Sequence, residues 1–216
     1  MPATPPAARA ATLAALQAVG ADYALTSLLA RLSADTDVGL LRGTVYTNTV
    51  DYQSLPTDFI GTFEFNNRVT VAQLEDVVTL GSAHTLRGAL EYRRNSVNTT
   101  PFAGGEIAYD VYSAQGMWAW KLTPQLSVTN AFRYDQLELE RSGATPAGYP
   151  FTNASWERTI TELSYNGGVV WRVTENDTLR LMASHGAQLP SLTHFGAVLL
   201  ASPFFGITGS PQLDHE

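Results

Sequence analysis

The chain has 216 residues, a formal net charge of −7 and a sequence pI near 5.0, with 44% apolar and 15% charged residues. The acidic balance and the lack of any Lys/Arg run argue against a nucleic-acid or anionic-lipid surface, and the absence of cysteine excludes disulfide frameworks and thiolate metal sites. No stretch of about 18 apolar residues occurs, so no membrane-spanning helix is expected; residues 10–32 come nearest and are interrupted by Gln17, Asp22 and Arg31.

Residues 1–22 are Ala-rich, with three prolines before Ala7, and read as a helical or disordered N-terminal segment. From Tyr23 onward the dominant signal is period-two alternation, rich in aromatic and β-branched residues. It predicts strands over 23–33, 38–52, 67–80, 84–95, 106–122, 126–140, 159–173 and 178–189. In "TLRGALEYRR", Leu86, Gly88, Leu90 and Tyr92 share one face, and Arg87, Ala89, Glu91 and Arg93 the other. "ELSYNGGVVWRV" and "SAQGMWAWKL" divide in the same way. The connections alternate between tight turns at 34–37, 81–83, 123–125 and 174–177 and long polar or Gly/Pro-rich loops at 53–66, 96–105, 141–158 and after Pro190.

Many of these strands exceed the five or six residues usual in soluble sheets, and about 9–11 tilted residues cross a bilayer. Short turns at one rim and long loops at the other are the layout of outer-membrane barrels. Aromatics fall where interfacial girdles sit, with Tyr92 and Tyr112 toward the loops and Trp120 and Trp171 beside tight turns. The predicted fold class is therefore all-β: an antiparallel, up-and-down transmembrane β-barrel segment of about eight long strands over residues 23–216. A small complete eight-strand outer-membrane barrel with a structural or adhesive role is one alternative, and a soluble β-sandwich binding domain is another.

No enzyme constellation emerges. There is no G-x-S-x-G elbow, "FAGGE" (102–106) lacks the Lys and following helix of a phosphate loop, and the four histidines show no paired-ligand spacing. His185 and His194, with His215 and Glu216, share only a loop region. Glu138 and Glu140, near Arg133, Asp135 and Arg141, read as part of a charged lumen or rim. No catalytic, cofactor-binding or metal-ligating residue is assigned, and no cofactor is called for. The functional candidates are polar residues expected to face a barrel lumen: Arg87, Glu91, Arg93, Arg133, Asp135, Arg172 and Arg180.

Four segments resemble a known family in the expected order. "LGSAHTLRGALEYRRN" (80–95) looks like a His-Thr-Leu-Arg-x-Gly hairpin. "LSVTNAFRYDQL" (126–137) is similar to a strand ending in Arg-Tyr-Asp. "NGGVVWRVTENDTLRLMASHGAQLPSL" (166–192) resembles the hairpin that follows it. "GSPQLDHE" (209–216) resembles a Gly-Asn-Pro-x-Leu-x-Pro-Glu segment, with Ser210 in place of Asn and His215 in place of Pro. All four are features of TonB-dependent outer-membrane receptors. The resemblance implies a barrel of about 22 strands around a plug domain. It also implies import of a scarce ligand, such as a ferric siderophore or cobalamin, driven by the TonB complex acting through the plug. No plug or energy-coupling box is recognised here, so the segment reads as the middle of a barrel wall in the bacterial outer membrane. Its expected partners are outer-membrane lipid, the TonB complex and a small-molecule or metal-chelate ligand, with no nucleic acid.

Overall fold

Four short turns organise the chain, and three of them rest on one threonine each. In a computed structural model, the Thr36 hydroxyl bonds the Gly39 carbonyl at 2.9 Å and accepts the Gly39 N–H at 3.1 Å. The Thr123 hydroxyl accepts the N–H groups of Gln125 and Leu126 at 3.2 and 3.0 Å. The Thr174 hydroxyl donates to Asp177 Oδ2 at 2.7 Å and accepts the Asp177 N–H at 3.0 Å. Each side chain substitutes for a backbone partner at a chain reversal. The fourth turn uses Gly81, whose φ of 60° a side chain would oppose.

The structure describes residues 21–54, 64–100, 105–145, 150–187, 190–196, 198–202 and 205–213. Eight strands form one antiparallel sheet in sequence order: β1 (Ala21–Asp35), β2 (Leu40–Ser54), β3 (Glu64–Leu80), β4 (His84–Thr100), β5 (Gly105–Lys121), β6 (Leu126–Gly143), β7 (Arg158–Arg172) and β8 (Thr178–His185). A 3-10 turn (Asn153–Trp156), a short helix α1 (Leu192–Gly196) and a hairpin of β9 (Val198–Ser202) with β10 (Phe205–Thr208) lie in the long connections. All eight predicted wall strands form, and the four tight turns fall where expected; the long loop expected at 96–105 does not, because β4 runs to Thr100 and β5 begins at Gly105, which leaves a connection no longer than the tight turns. β1 and β8 are opposite edges of the sheet, so the β8–β1 ladder of a closed eight-strand barrel is not formed. No second large sheet packs on the first among the described residues, as a sandwich requires.

Several strands run further into the loops than alternation predicts. β4 continues to Thr100, β3 begins at Glu64 and β2 reaches Ser54. Their ends are polar, and those polar side chains pair across the ladder: Gln53 Nε2 with Glu64 Oε1 at 3.0 Å, Asn67 Nδ2 with Asn95 Oδ1 at 2.9 Å, and Asn66 with Asp51. Polarity there is a solvated strand, not a loop. β8 is shorter than predicted, ending at His185 just before Gly186.

The sheet register is continuous, so residues directly opposite one another share a face. One row runs Leu32, Gly43, Leu74, Leu90, Ala114, Tyr134, Leu163 across β1 to β7. The adjacent row on the other face runs Arg31, Thr44, Gln73, Glu91, Ser113, Asp135, Glu162. One row is apolar and its neighbour polar, because side chains alternate with period two. A slip of one residue would exchange them, which fixes the register strongly. On the apolar face Leu32, Leu90 and Leu163 are 76%, 61% and 58% exposed.

The buried core lies at the loop end of the polar face. Val97, Ile107, Val111, Leu137, Leu139 and Ile160 from the wall meet Trp156, Leu192 and Phe195 from the two docked connections. Trp156 and Phe195 are completely buried. The Trp156 Nε1–H donates to the Phe195 carbonyl at 3.2 Å, tying one loop to the other. Helix α1 packs on β4 and β5, and the 3-10 turn on β6.

Candidate functional site: the polar face of the wall

The register puts all seven sequence-selected residues on the same, polar face. Five of them fall into two ion-pair clusters: Arg87 with Arg42 and Glu75 across β2–β4, and Glu91, Arg93, Arg133 and Asp135 with Ser113 across β4–β6. Glu75, with 6% of its side chain exposed, accepts from Arg42 Nη1 at 3.3 Å and Arg87 Nε at 2.6 Å. Glu91, with 9% exposed, accepts from Arg93 Nη2 at 2.9 Å and Arg133 Nη2 at 3.2 Å. Arg133 also holds both Asp135 oxygens through Nε at 2.9 and 2.8 Å, and donates to the Ser113 hydroxyl at 2.8 Å. Ser113 in turn donates to Asp135. The carboxylates lie deep and the guanidinium tips lie shallow, so each buried negative charge is paired, as burial demands. Arg172 and Arg180 stand apart, at the tight-turn end of β7 and β8.

Three members of these clusters were not singled out from the sequence. Glu75, Arg42 and Ser113 look unremarkable in a linear reading, and only cross-strand register brings them opposite the chosen residues. Their signal was present: each falls on the polar side of its strand's alternation.

Glu75 is the keystone of the β2–β4 cluster. A Glu75→Gln substitution leaves Arg42 and Arg87 without a counter-charge, and their side chains are 40% and 47% exposed. Because water screens those tips, the expected loss of unfolding stability is about 1–2 kcal/mol, below the 3–5 typical of fully buried pairs. Arg172→Gln, which breaks no ion pair, stays within about 0.5 kcal/mol. Urea unfolding of the membrane-inserted protein measures both, and equal effects would deny Glu75 this role.

Glu138 and Glu140 do not belong to this lumen or rim group. They lie on the opposite face, pairing in register with Asp110 and Ala108, while Arg133, Asp135 and Arg141 face the polar side. The parity of adjacent positions separates them. Arg94, on the same face as Glu138 and Glu140, bonds Asp110 Oδ2 at 2.6 Å, pairs with Glu140 and lies 3.7 Å from Glu106. Tyr92 donates to Asp110 at 2.7 Å. Arg141 is instead 6% exposed beneath the docked loop, bonding Asn153 and the Ala144 carbonyl at 3.0 Å, with its guanidinium 5.4 Å from the Trp156 ring centroid.

The histidines scatter. His84 stacks beside both Trp118 and Trp120, with ring centroids at 5.9 and 5.6 Å, on the apolar face. His185 ends β8 against Tyr165 at 5.6 Å, while His194 is exposed in α1. His215 and Glu216 lie outside the described residues. Among the described residues no group of three His, Asp or Glu is placed to hold a metal.

Aromatics bracket the apolar face. Tyr92 and Tyr112 pair across the ladder at 5.5 Å, and the Trp118–Trp120 pair stacks at 5.3 Å nearer the tight turns. Tyr92 and His84 are eight residues apart along β4, about 26 Å at ~3.3 Å per residue. A strand tilt of roughly 35–45° reduces this to about 20 Å of height, most of the ~25 Å apolar band of an outer-membrane barrel. A hollow of about 830 Å³ lies over Gly43 among Leu32, Leu74, Leu90 and Tyr134. Its apolar lining suits a hydrocarbon chain better than a polar ligand. A smaller hollow of about 440 Å³ on the polar side is lined by Arg87, Gln115, Arg133, Ser164, Asn166 and Ser184.

A search of curated proteins finds no match. The family model described as "TonB dependent receptor-like, beta-barrel" matches residues 9–216. That span takes in all eight wall strands, both docked connections and the polar-face clusters. With its long alternating strands, one-sided tight turns and two-faced register, the chain belongs to the β-barrel family of TonB-dependent receptors.

Proposed function

We propose that this chain forms part of the wall of a TonB-dependent receptor in the bacterial outer membrane, importing a scarce ligand such as a ferric siderophore or cobalamin. The apolar face lies against lipid and the polar face lines the interior. The tight turns mark the periplasmic rim, and the long loops lie outside the cell. The observation that carries this reading is the register: seven polar residues from four strands fall on one face, and the aromatic bands and large aliphatics on the other. Energy arrives from the TonB complex through a plug domain seated within the wall. The two Arg–carboxylate clusters then have two consequences: they hold β2 to β4 and β4 to β6 at fixed spacing, and they present a hydrated, charge-paired lining that a solute crosses without burying an unpaired charge.

Because the chain has no cysteine, single-cysteine scanning tests the assignment cleanly. Gln115→Cys and Asn166→Cys, on the polar face, are expected to react with a charged, water-soluble maleimide in outer-membrane vesicles. Leu90→Cys and Leu163→Cys are expected to resist it, and a fluorophore attached there is quenched by spin-labelled lipid. Lipid quenching at Asn166 in place of Leu163 would reverse the two faces and end this reading.

A further inference from the structure

Charge divides unevenly between the two faces. Of the thirteen Lys and Arg in the chain, twelve lie in β1–β8, and the register places ten of them on the polar face; only Arg68 and Arg94 are on the apolar one. Strand carboxylates divide the other way, with five on the polar face (Asp35, Glu75, Glu91, Asp135 and Glu162) and eight on the apolar. A chain of net charge −7 therefore presents a polar face on which cations outnumber anions two to one.

Six of these cations are engaged by the ion-pair clusters or the docked loops. Of the other four, Arg31 lies on the edge strand β1 and three gather at the tight-turn end. Lys121 and Arg180 lie in one cross-strand row with Ser127 and Val170 between them. Arg172 is one step nearer the turn, its N–H bonded to the Gln125 carbonyl at 2.8 Å. All three line a hollow of about 520 Å³ at the tight-turn end of the polar face, and no Asp or Glu is in its lining. Ser127, Gln125 and Thr178 add neutral hydrogen-bonding groups. Asp177, which precedes Thr178 of that lining, accepts from the Thr174 hydroxyl at 2.7 Å. Three like charges around one hollow repel each other, and that repulsion is relieved when a multivalent anion sits among them.

We infer that Lys121, Arg172 and Arg180 form a binding site for a small multivalent anion, bearing carboxylate or phosphate groups, at the tight-turn end of the polar face. The inference rests on the polar face lining a solvated interior, and it gives the imported or exiting solute a chemical class. The guanidinium groups suit planar two-oxygen contacts with either carboxylate or phosphate, and Lys121 adds a point charge. Neutral solutes gain hydrogen bonds but no charge attraction from this end of the wall.

The test is calorimetric binding to the protein extracted in detergent from the membrane in which it is made. Inorganic pyrophosphate and tricarballylate serve as the phosphate and carboxylate probes, with sucrose as the neutral control. Wild-type protein is expected to bind at least one anion and not sucrose, with affinity falling as NaCl is raised; the anion that binds more tightly identifies the chemistry. A Lys121→Gln, Arg172→Gln, Arg180→Gln triple variant is expected to bind about tenfold more weakly. An Arg172→Lys, Arg180→Lys variant, which keeps the charge, is expected to retain most of the affinity, and it stands in if the triple variant fails to insert. No anion binding by wild-type protein, or equal binding by wild-type and triple variant, would overturn the site. Cysteine labelling reports separately on the wall: lipid quenching at Asn166 would remove the interior reading, whereas a normal labelling pattern with no anion binding would remove the anion site alone.

Discussion

A Trp156→Ala substitution is expected to release the long β6–β7 connection from the wall at a cost of about 3–5 kcal/mol, the range for emptying a fully buried aromatic site. Trp156 is 0% exposed. Its ring packs in the cluster with Ile107, Leu139 and Phe195, meets Phe151 edge-on at 5.9 Å, and lies beneath the Arg141 guanidinium. Its indole N–H also holds the Phe195 carbonyl. Removing the ring therefore loosens two connections together and leaves a carbonyl without its donor. Limited proteolysis of the membrane-inserted protein is the measurement: cleavage within 144–157 and 190–213 should accelerate while β1–β8 stay protected. Trp156→Phe keeps most of the ring volume and loses the N–H, so its effect should be nearer 1 kcal/mol. Unchanged cleavage in Trp156→Ala would mean that these loops are not held by this core.

Gly209→Ala is expected to unfasten the turn at 209–213 from helix α1 for a purely steric reason. A Cβ there would lie 2.6 Å from the Gly196 nitrogen and 2.8 Å from the Thr193 carbonyl oxygen, and closer still to the His194 carbonyl. These are backbone atoms and cannot rotate aside, so the turn must move away. Doing so breaks the bond from the Ser210 N–H to the His194 carbonyl, now 2.9 Å. It also draws Pro211 out of its fully buried position, where its carbonyl accepts from Arg158. Overpacking of this kind costs about 1–3 kcal/mol, and more where backbone is the obstacle. Hydrogen exchange at Phe195 and Ser210 should rise sharply, with β5 and β6 unaffected. Gly88→Ala, with open space around its position, is the matched control and should change neither.

These two substitutions concern the same structural idea. The "GSP" at 209–211, which reads in sequence as a turn before something else, is the anchor of a docked segment. Gly209 permits the close approach, Ser210 bonds the helix end, and Pro211 fills the gap while its carbonyl receives Arg158. The Ser210 hydroxyl accepts the Gln212 N–H at 3.2 Å, which closes the turn on itself. The loop end of the polar face is thus covered by packed chain, whereas none of the described residues packs over its cationic tight-turn end.

The wall itself was legible in the sequence, and the reason is local. Period-two alternation is a property of neighbouring residues along one strand, and it needs no partner to be seen. Threonines and a glycine at the chain reversals are equally local, as are the aromatic positions at the strand ends. All eight strands, the tight turns and the common face of Arg87, Glu91, Arg93, Arg133, Asp135, Arg172 and Arg180 followed from that information. Strand ends were less legible because polar residues such as Gln53, Glu64 and Asn66 continue a ladder by bonding across it.

Tertiary structure decided what depends on register and on distant packing. Which carboxylate meets which arginine, as Glu75 meets both Arg42 and Arg87, is set by the pairing of three strands, and no single strand contains it. Glu138 and Glu140 were separated from Arg133 and Asp135 by the parity of their faces once the ladder was laid out. The docking of Trp156 and Phe195 joins residues 39 apart through side-chain packing that carries no periodic signal. The sequence by itself determined a two-faced wall, because alternation is written residue by residue. Folding determined the ion-pair partners, the loop-end core and the uncompensated cations at the turn end, because those arise only where separate strands come side by side.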